Sequence, residues 1–162
     1  MGGIDEKTLI NRLDLYGDTS AITDSSGAYT YSEIRSGAHR IASGLLASER
    51  DLCEERVAIM ASPGYDYTVA LLGVWFAGGI AVPLCIEHPA AEIQYVLDDT
   101  RAEKVIVSTE FEERFGERRE QGRIQVYRIS ELVATPFVDL PEVSIDRRAM
   151  ILYTSGTTSR PK

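Results

Sequence analysis

Two hydrophobic periods take turns along this chain. Short apolar runs at 56–61, 80–84, 104–108, 124–128 and 149–153 are bounded by turn residues, which predicts buried strands. Between them lie stretches of helical period. Ile34, Ala38, Ile41, Ala42 and Leu45 fall on one helix face. Residues 65–76 are apolar almost all round, the pattern of a buried helix, and Ala77-Gly78-Gly79 closes it. His88-Pro89 opens another helix with proline in the first turn, facing Ile93, Val96 and Leu97 inward. Residues 110–121 mix charges of both signs around Phe111 and Phe115 and read as a solvated helix; 130–134 is a short one. The chain enters through an amphipathic helix over 4–16, carried by Ile4, Leu9, Ile10, Leu13 and Leu15.

Turn chemistry fits this outline. Runs 21–24 and 28–31 flank Ser25-Ser26-Gly27 and predict a hairpin. Thr30 and Glu33 have capping-box spacing, with Tyr29 and Ile34 placed for a hydrophobic staple. Ser62-Pro63-Gly64 breaks the chain after the first apolar run. Pro83 lacks an N–H and belongs on an edge or at a strand end. Residues 135–146, with Pro136 and Pro141, form a surface loop leading to the last strand. Strands alternating with helices define the fold class: α/β, a layered, mainly parallel sheet with flanking helices. In open sheets of this kind ligands sit beyond the carboxyl ends of the strands. The segment after Tyr153 falls at such a place.

Composition narrows the picture. The chain has 162 residues, enough for one domain with a core. A net charge of −8 argues against a nucleic-acid surface. The longest apolar run, 69–86, contains glycines and Pro83, so it reads as a helix plus a strand and not as a membrane span. Cys53 and Cys85 give neither a disulfide framework nor metal spacing; set in apolar or helical surroundings, they predict reduced thiols in a cytoplasmic protein. No secretory signal precedes the first helix, and Glu6 occupies the position where myristoylation needs a hydroxyl residue. A leader removed before Met1 is the route by which a mitochondrial matrix location stays open.

The densest chemistry lies at 154–162. Thr154, Ser155, Thr157 and Thr158 surround Gly156, and Arg160, Pro161 and Lys162 follow. Glycine allows successive N–H groups to converge on one anion; the hydroxyls donate, and Lys162 supplies a mobile positive charge. The spacing does not fit the common G-x-x-x-x-G-K-[ST] pattern, so this is a different phosphate loop. Tyr153-Thr-Ser-Gly-Thr-Thr-x-x-Pro-Lys162 resembles the phosphate-binding signature of the adenylate-forming superfamily, which includes acyl-CoA synthetases, luciferases and peptide-synthetase adenylation domains. Ser159 departs from it, standing where that family usually has glycine. Residues 29–34 and 40–45 are similar to the superfamily's first signature and read as scaffold.

Within the superfamily, residues 71–84 and 88–97 resemble the malonyl-CoA synthetase branch, in which Trp-x-x-Gly-Gly-x-Ala-Val-Pro-Leu and His-Pro-Ala-Ala-x-x-x-Tyr-Val recur. The resemblance implies an N-terminal, AMP-binding portion spanning residues 1–162 of an acyl-CoA synthetase-like enzyme. Its parent would bind ATP, magnesium, CoA and a carboxylic acid, malonate or a related short dicarboxylate first. Fatty-acid or aryl-acid CoA ligases and other adenylating enzymes are the alternatives within the superfamily. Thr154, Ser155, Gly156, Thr157, Thr158 and Lys162 would hold the nucleotide phosphates; no catalytic residue is assigned. A fragment ending in this loop is expected to be inactive by itself, with mobile last residues and exposed apolar surface that favours self-association. A truncated, non-catalytic binding module is the alternative of another class. His39 reads as a partly exposed helical residue, His88 as a turn residue at a helix start, and Trp75 as core.

Overall fold

The computed structural model describes residues 9–154. Its centre is a four-stranded parallel sheet in the order β4-β3-β5-β6, made of β3 (Arg56–Met60), β4 (Ile80–Pro83), β5 (Lys104–Val107) and β6 (Gln125–Arg128). Both faces are covered, which is why these strands read as continuous apolar runs. The pleat divides β3 between two cores: Val57 and Ile59 face one, Ala58 and Met60 the other.

The first core is built by α2 (Tyr31–Leu46) and α3 (Tyr65–Phe76), with Leu13 of α1 (Leu9–Tyr16) and Ile129 and Leu132 of α6 (Ile129–Leu132). α2 starts where the capping box predicts. Glu33 N–H donates to Thr30 Oγ1 at 3.2 Å, and Thr30 N–H donates to Glu33 Oε2 at 2.7 Å. Ahead of it, β1 (Ser20–Asp24) and β2 (Gly27–Thr30) form the antiparallel hairpin. Tyr29 stacks on Tyr65 across to α3, with ring centroids 4.1 Å apart. The second core is covered by α4 (Ala90–Thr100), with Ile93, Val96 and Leu97 inward, and by Phe115.

Several expectations need correction. Leu15 is exposed, so the inward face of α1 does not include it. Pro89 is the N-cap of α4 and lies outside its first turn. The charged helix over 110–121 is two pieces, a 3-10 helix at Thr109–Phe115 and α5 (Gly116–Glu120), with glycine at the junction. It is not merely solvated, because Phe115 is buried and Glu112 pairs with Arg128 and Arg119. Cys53 and Cys85 are both exposed, Cys53 in a turn with φ of 49°.

The largest correction concerns 149–153. Its pairing with the sheet is one parallel bridge, Ala81↔Met150, on the outer edge of β4. Ala81 N–H donates to Ala149 O, and Ile151 N–H donates back to Ala81 O, both at 2.9 Å. Ile80 and Leu84 turn their N–H groups to β3, so Ala81 and Pro83 face the outer edge. The next rung needs an N–H at position 83, and proline has none. The ladder stops there.

Candidate functional site

The parallel bridge sets the direction of the last described segment. From Met150 the chain runs in the same sense as β4, towards the carboxyl end of the sheet, and reaches Thr154, which is exposed and irregular. Ser155, Gly156, Thr157, Thr158 and Lys162 lie outside the described residues, as does the expectation that the last residues are mobile. The structure therefore places the stem of the hydroxyl loop and its first hydroxyl.

That stem is anchored at every turn. Arg147 makes a bidentate pair with Asp51, Nη1 to Oδ1 at 2.7 Å and Nη2 to Oδ2 at 2.6 Å. Arg148 N–H donates to Glu54 Oε1 at 2.9 Å, and its Nη2 donates to Glu54 Oε2 at 2.5 Å. The Arg147 guanidinium holds the Asp51 carboxyl below its ordinary value, and Arg148 does the same for Glu54. Both acids belong to a tight turn before β3. Cys53 N–H donates to Asp51 Oδ1 at 2.8 Å, and Glu54 N–H donates to Gly78 O at 2.8 Å. Gly78 is required here: its φ is +79°, and a Cβ would lie 2.2 Å from Asp51 Oδ1.

Further along, Trp75 Nε1–H donates to Ala149 O at 2.7 Å. Ile151 and Tyr153 alternate inward onto the second core, while Leu152 points to solvent. The Tyr153 hydroxyl donates to Asp99 of α4, and burial together with that carboxylate raises the phenol's pKa. The Tyr153 ring meets Tyr95 edge-on at 6.3 Å.

The crevice between β3 and β5 has the opposite character. There Ser62 Oγ–H donates to Glu110, and Ser108 Oγ–H donates to Asp66, each at 3.4 Å. Two carboxylates make it a poor place for a phosphate. A cleft of about 780 Å³ lies beneath the 138–149 loop, with Trp75, Phe76, Leu140, Ile145 and the already paired Arg147 in its walls. His39, half-buried on α2, bonds the Val138 carbonyl at 2.9 Å and so holds that loop. His88 lies in the turn before α4, its carbonyl gripped by Arg114 and its Nδ1 3.4 Å from Glu92. Both fit the roles expected of them.

Trp75 fits in part: it is half-buried and packs against the first core, and it is also hydrogen-bonded to the stem. Asp51, Glu54, Arg147 and Arg148 were not among the expected site residues. The adjacent arginines just ahead of the last apolar run, facing an acidic turn nearly a hundred positions earlier, leave no local signal beyond their charges. Among the described residues there is no group of three His, Cys, Asp or Glu able to hold a metal ion. No described helix is long and apolar enough to cross a membrane.

Comparison with known proteins bears on this geometry. A family model described as AMP-binding enzyme matches residues 11–162. The mitochondrial malonate–CoA ligase of Homo sapiens is 34% identical over 158 residues, covering 91% of this chain and 27% of that protein. The chain thus spans about a quarter of the length of the curated relatives it matches. Among solved structures, the inhibitor-bound N-terminal domain of FACL13 from Mycobacterium tuberculosis has a TM-score of 0.80 at 24% identity, covering 94% of this chain and 42% of that one. ATP-bound MatB from Rhodopseudomonas palustris has a TM-score of 0.78 at 24% identity, covering 95% and 33%. These two likenesses carry the fold.

Proposed function

The chain belongs to the AMP-binding enzyme family, and on that premise we propose that it forms the N-terminal part of an ATP-dependent acid–thiol ligase. The observation that supports this most is the anchored stem. It carries Thr154, the first hydroxyl residue of the 154–162 sequence, out at the carboxyl end of a parallel sheet. In the reaction a carboxylate oxygen attacks the α-phosphorus of ATP and pyrophosphate leaves. The thiol of CoA then attacks the acyl carbon, and AMP leaves. The chain's share is to grip the β- and γ-phosphates. Backbone N–H groups around Gly156 and the hydroxyls of Thr154, Ser155, Thr157 and Thr158 would donate to oxygens that gain charge as pyrophosphate departs, and Lys162 would add a positive charge. That donor set suits phosphate oxygens; magnesium would arrive with the nucleotide and neutralise part of its charge.

The acid we propose is malonate or a related short dicarboxylate, on the strength of the human relative's name and the 71–97 segment. Activity belongs to the longer protein, and the 162 residues alone are expected to give no pyrophosphate exchange. The human relative is mitochondrial by name; we place this protein in the cytoplasm, and fractionation of cells producing it separates that from the matrix.

The deciding experiment is thioester formation from malonate, ATP and CoA by the longer protein, with fatty and aryl acids as controls. A different preferred acid replaces the substrate assignment. Absence of adenylation with every acid removes the ligase reading and leaves the binding module. Replacing Thr157 and Thr158 together by alanine should slow adenylation by roughly ten- to a hundredfold per lost contact while CoA binding holds. Unchanged pyrophosphate exchange in that variant would remove these residues from the site.

A further inference from the structure

We infer that Trp75 is a positioning residue for the phosphate loop: its indole N–H fixes the Ala149 carbonyl and thereby the stem from which the loop departs. The inference rests on the ligase reading only for what the loop binds. The anchor itself stands on geometry. Trp75 lies on the last turn of α3, beside the buried Val74, and is itself half-buried. Its ring packs against the first core, and its indole N–H makes a further contact that this packing does not require. Its Nε1 is 2.7 Å from Ala149 O, the same carbonyl that accepts Ala81 N–H at 2.9 Å. A carbonyl oxygen has two lone pairs, and here each has a donor.

Pro83 makes this second donor matter. The backbone ladder between the stem and β4 cannot continue past Ile151, because the next donor would be the proline nitrogen. Beyond that rung the stem is held by side chains, Ile151 and Tyr153 on the second core and the Tyr153 hydroxyl on Asp99, so the backbone is fixed only at the bridge. Upstream, Arg147 and Arg148 fix where the segment enters. Trp75 fixes the bridge residue's own neighbour, between those ion pairs and Thr154. It also couples the stem to α3, which shares the first core with α2, and so ties the stem to that core as well as to the surface loop before it. The distance between a phosphate and its donors is sensitive to small rotations at such a base.

The chain contains a single tryptophan, which makes the test selective. In the 162-residue chain, Trp75→Phe should speed amide hydrogen exchange at Ala81 and Ile151 by roughly tenfold, with the amides of β3 and β5 unchanged. Incorporating benzothienylalanine at position 75 keeps the bicyclic ring and removes only the N–H, and should have the same effect. Unchanged exchange at Ala81 and Ile151, or an equal rise throughout the sheet, would overturn the inference. In the longer protein, Trp75→Phe should lower kcat/KM for ATP in acid-dependent pyrophosphate exchange by about tenfold and leave the KM for CoA in place. Equal kinetics with wild type would also overturn it. If the wild-type protein exchanges pyrophosphate with no acid, the ligase reading fails, and the amide measurement decides the anchor without it.

Discussion

Asp51, Glu54 and Glu33 are three carboxylates that act at three joints. Asp51 and Glu54 hold the stem through Arg147 and Arg148, and Glu33 closes the cap of α2. Each is held below its ordinary value by its own donor: the Arg147 guanidinium for Asp51, the Arg148 guanidinium for Glu54 and the Thr30 backbone N–H for Glu33. A carboxylate with a depressed folded pKa stabilises the fold fully above its unfolded value, and that stabilisation is lost as pH falls through the folded value. The ordinary values are 3.8 for Asp51 and 4.5 for the two glutamates. Urea midpoints should therefore be flat at neutral pH and fall below about pH 4.5. Asp51→Asn with Glu54→Gln should start lower and fall less steeply in acid. Parallel acid profiles for the variant and wild type would show that these pairs contribute nothing, as many solvent-screened ion pairs do.

Packing of α2 on α3 depends on glycines that the apolar pattern alone does not flag. At Gly73 a Cβ would lie 2.5 Å from Ile41 Cγ2 and 3.0 Å from the Ala38 carbonyl, so a branched side chain and a backbone atom would both have to yield. Alanine gains up to about 1 kcal/mol in helix propensity, against roughly 1–3 kcal/mol for overpacking. Gly73→Ala should thus destabilise by about 1–2 kcal/mol. Gly116 is the counterexample: nothing lies within 4 Å of its Cβ position, and its φ of −53° is helical. Gly116→Ala should stabilise by about 0.5–1 kcal/mol and draw the two charged helical pieces together. Equal effects at the two sites, read from denaturation midpoints, would contradict this account. The same junction shows where sequence reading stops. The run over 110–121 has helical composition, and it breaks at Phe115, whose φ of −112° and ψ of 0° leave the helical region. The capping box at Thr30 and Glu33, the hairpin and the buried strands β3 and β5 were legible because their causes lie within a few residues. The 149–153 strand was overdrawn because its limit is Pro83, on a neighbouring strand some seventy positions earlier. The Trp75 bond to Ala149 leaves no signal near position 75, because its partner is distant in sequence. The hydroxyl loop was legible as chemistry, while the ion pairs that anchor its stem arise only on folding.

At the scale of the whole molecule, surface charge and surface apolar groups oppose each other. The net charge of −8 gives molecules of this chain a mutual repulsion. Against it, Ile145 is 80% exposed, Leu152 65% and Phe137 50%, all on or beyond the loop that leads into the stem. Single exposed apolar residues are ordinary, but large ones grouped along one stretch of chain favour contact with another surface. The 162-residue chain is therefore expected to self-associate, with salt shifting the balance in a definite direction. Raising ionic strength from about 0.01 M to 1 M shortens the screening length from about 30 Å to about 3 Å, which weakens the repulsion and leaves apolar burial intact. Sedimentation velocity should show a weight-average coefficient that rises with protein concentration, and rises more steeply at high salt. Ile145→Ser with Leu152→Ser should return the chain to a monomer under both conditions. Neither residue donates a side-chain hydrogen bond to the stem, so the variant should keep the wild-type exchange pattern at Ala81 and Ile151. A monomer at every concentration and salt level, or association that weakens as salt rises, would mean that these side chains do not drive contact and that any assembly is electrostatic.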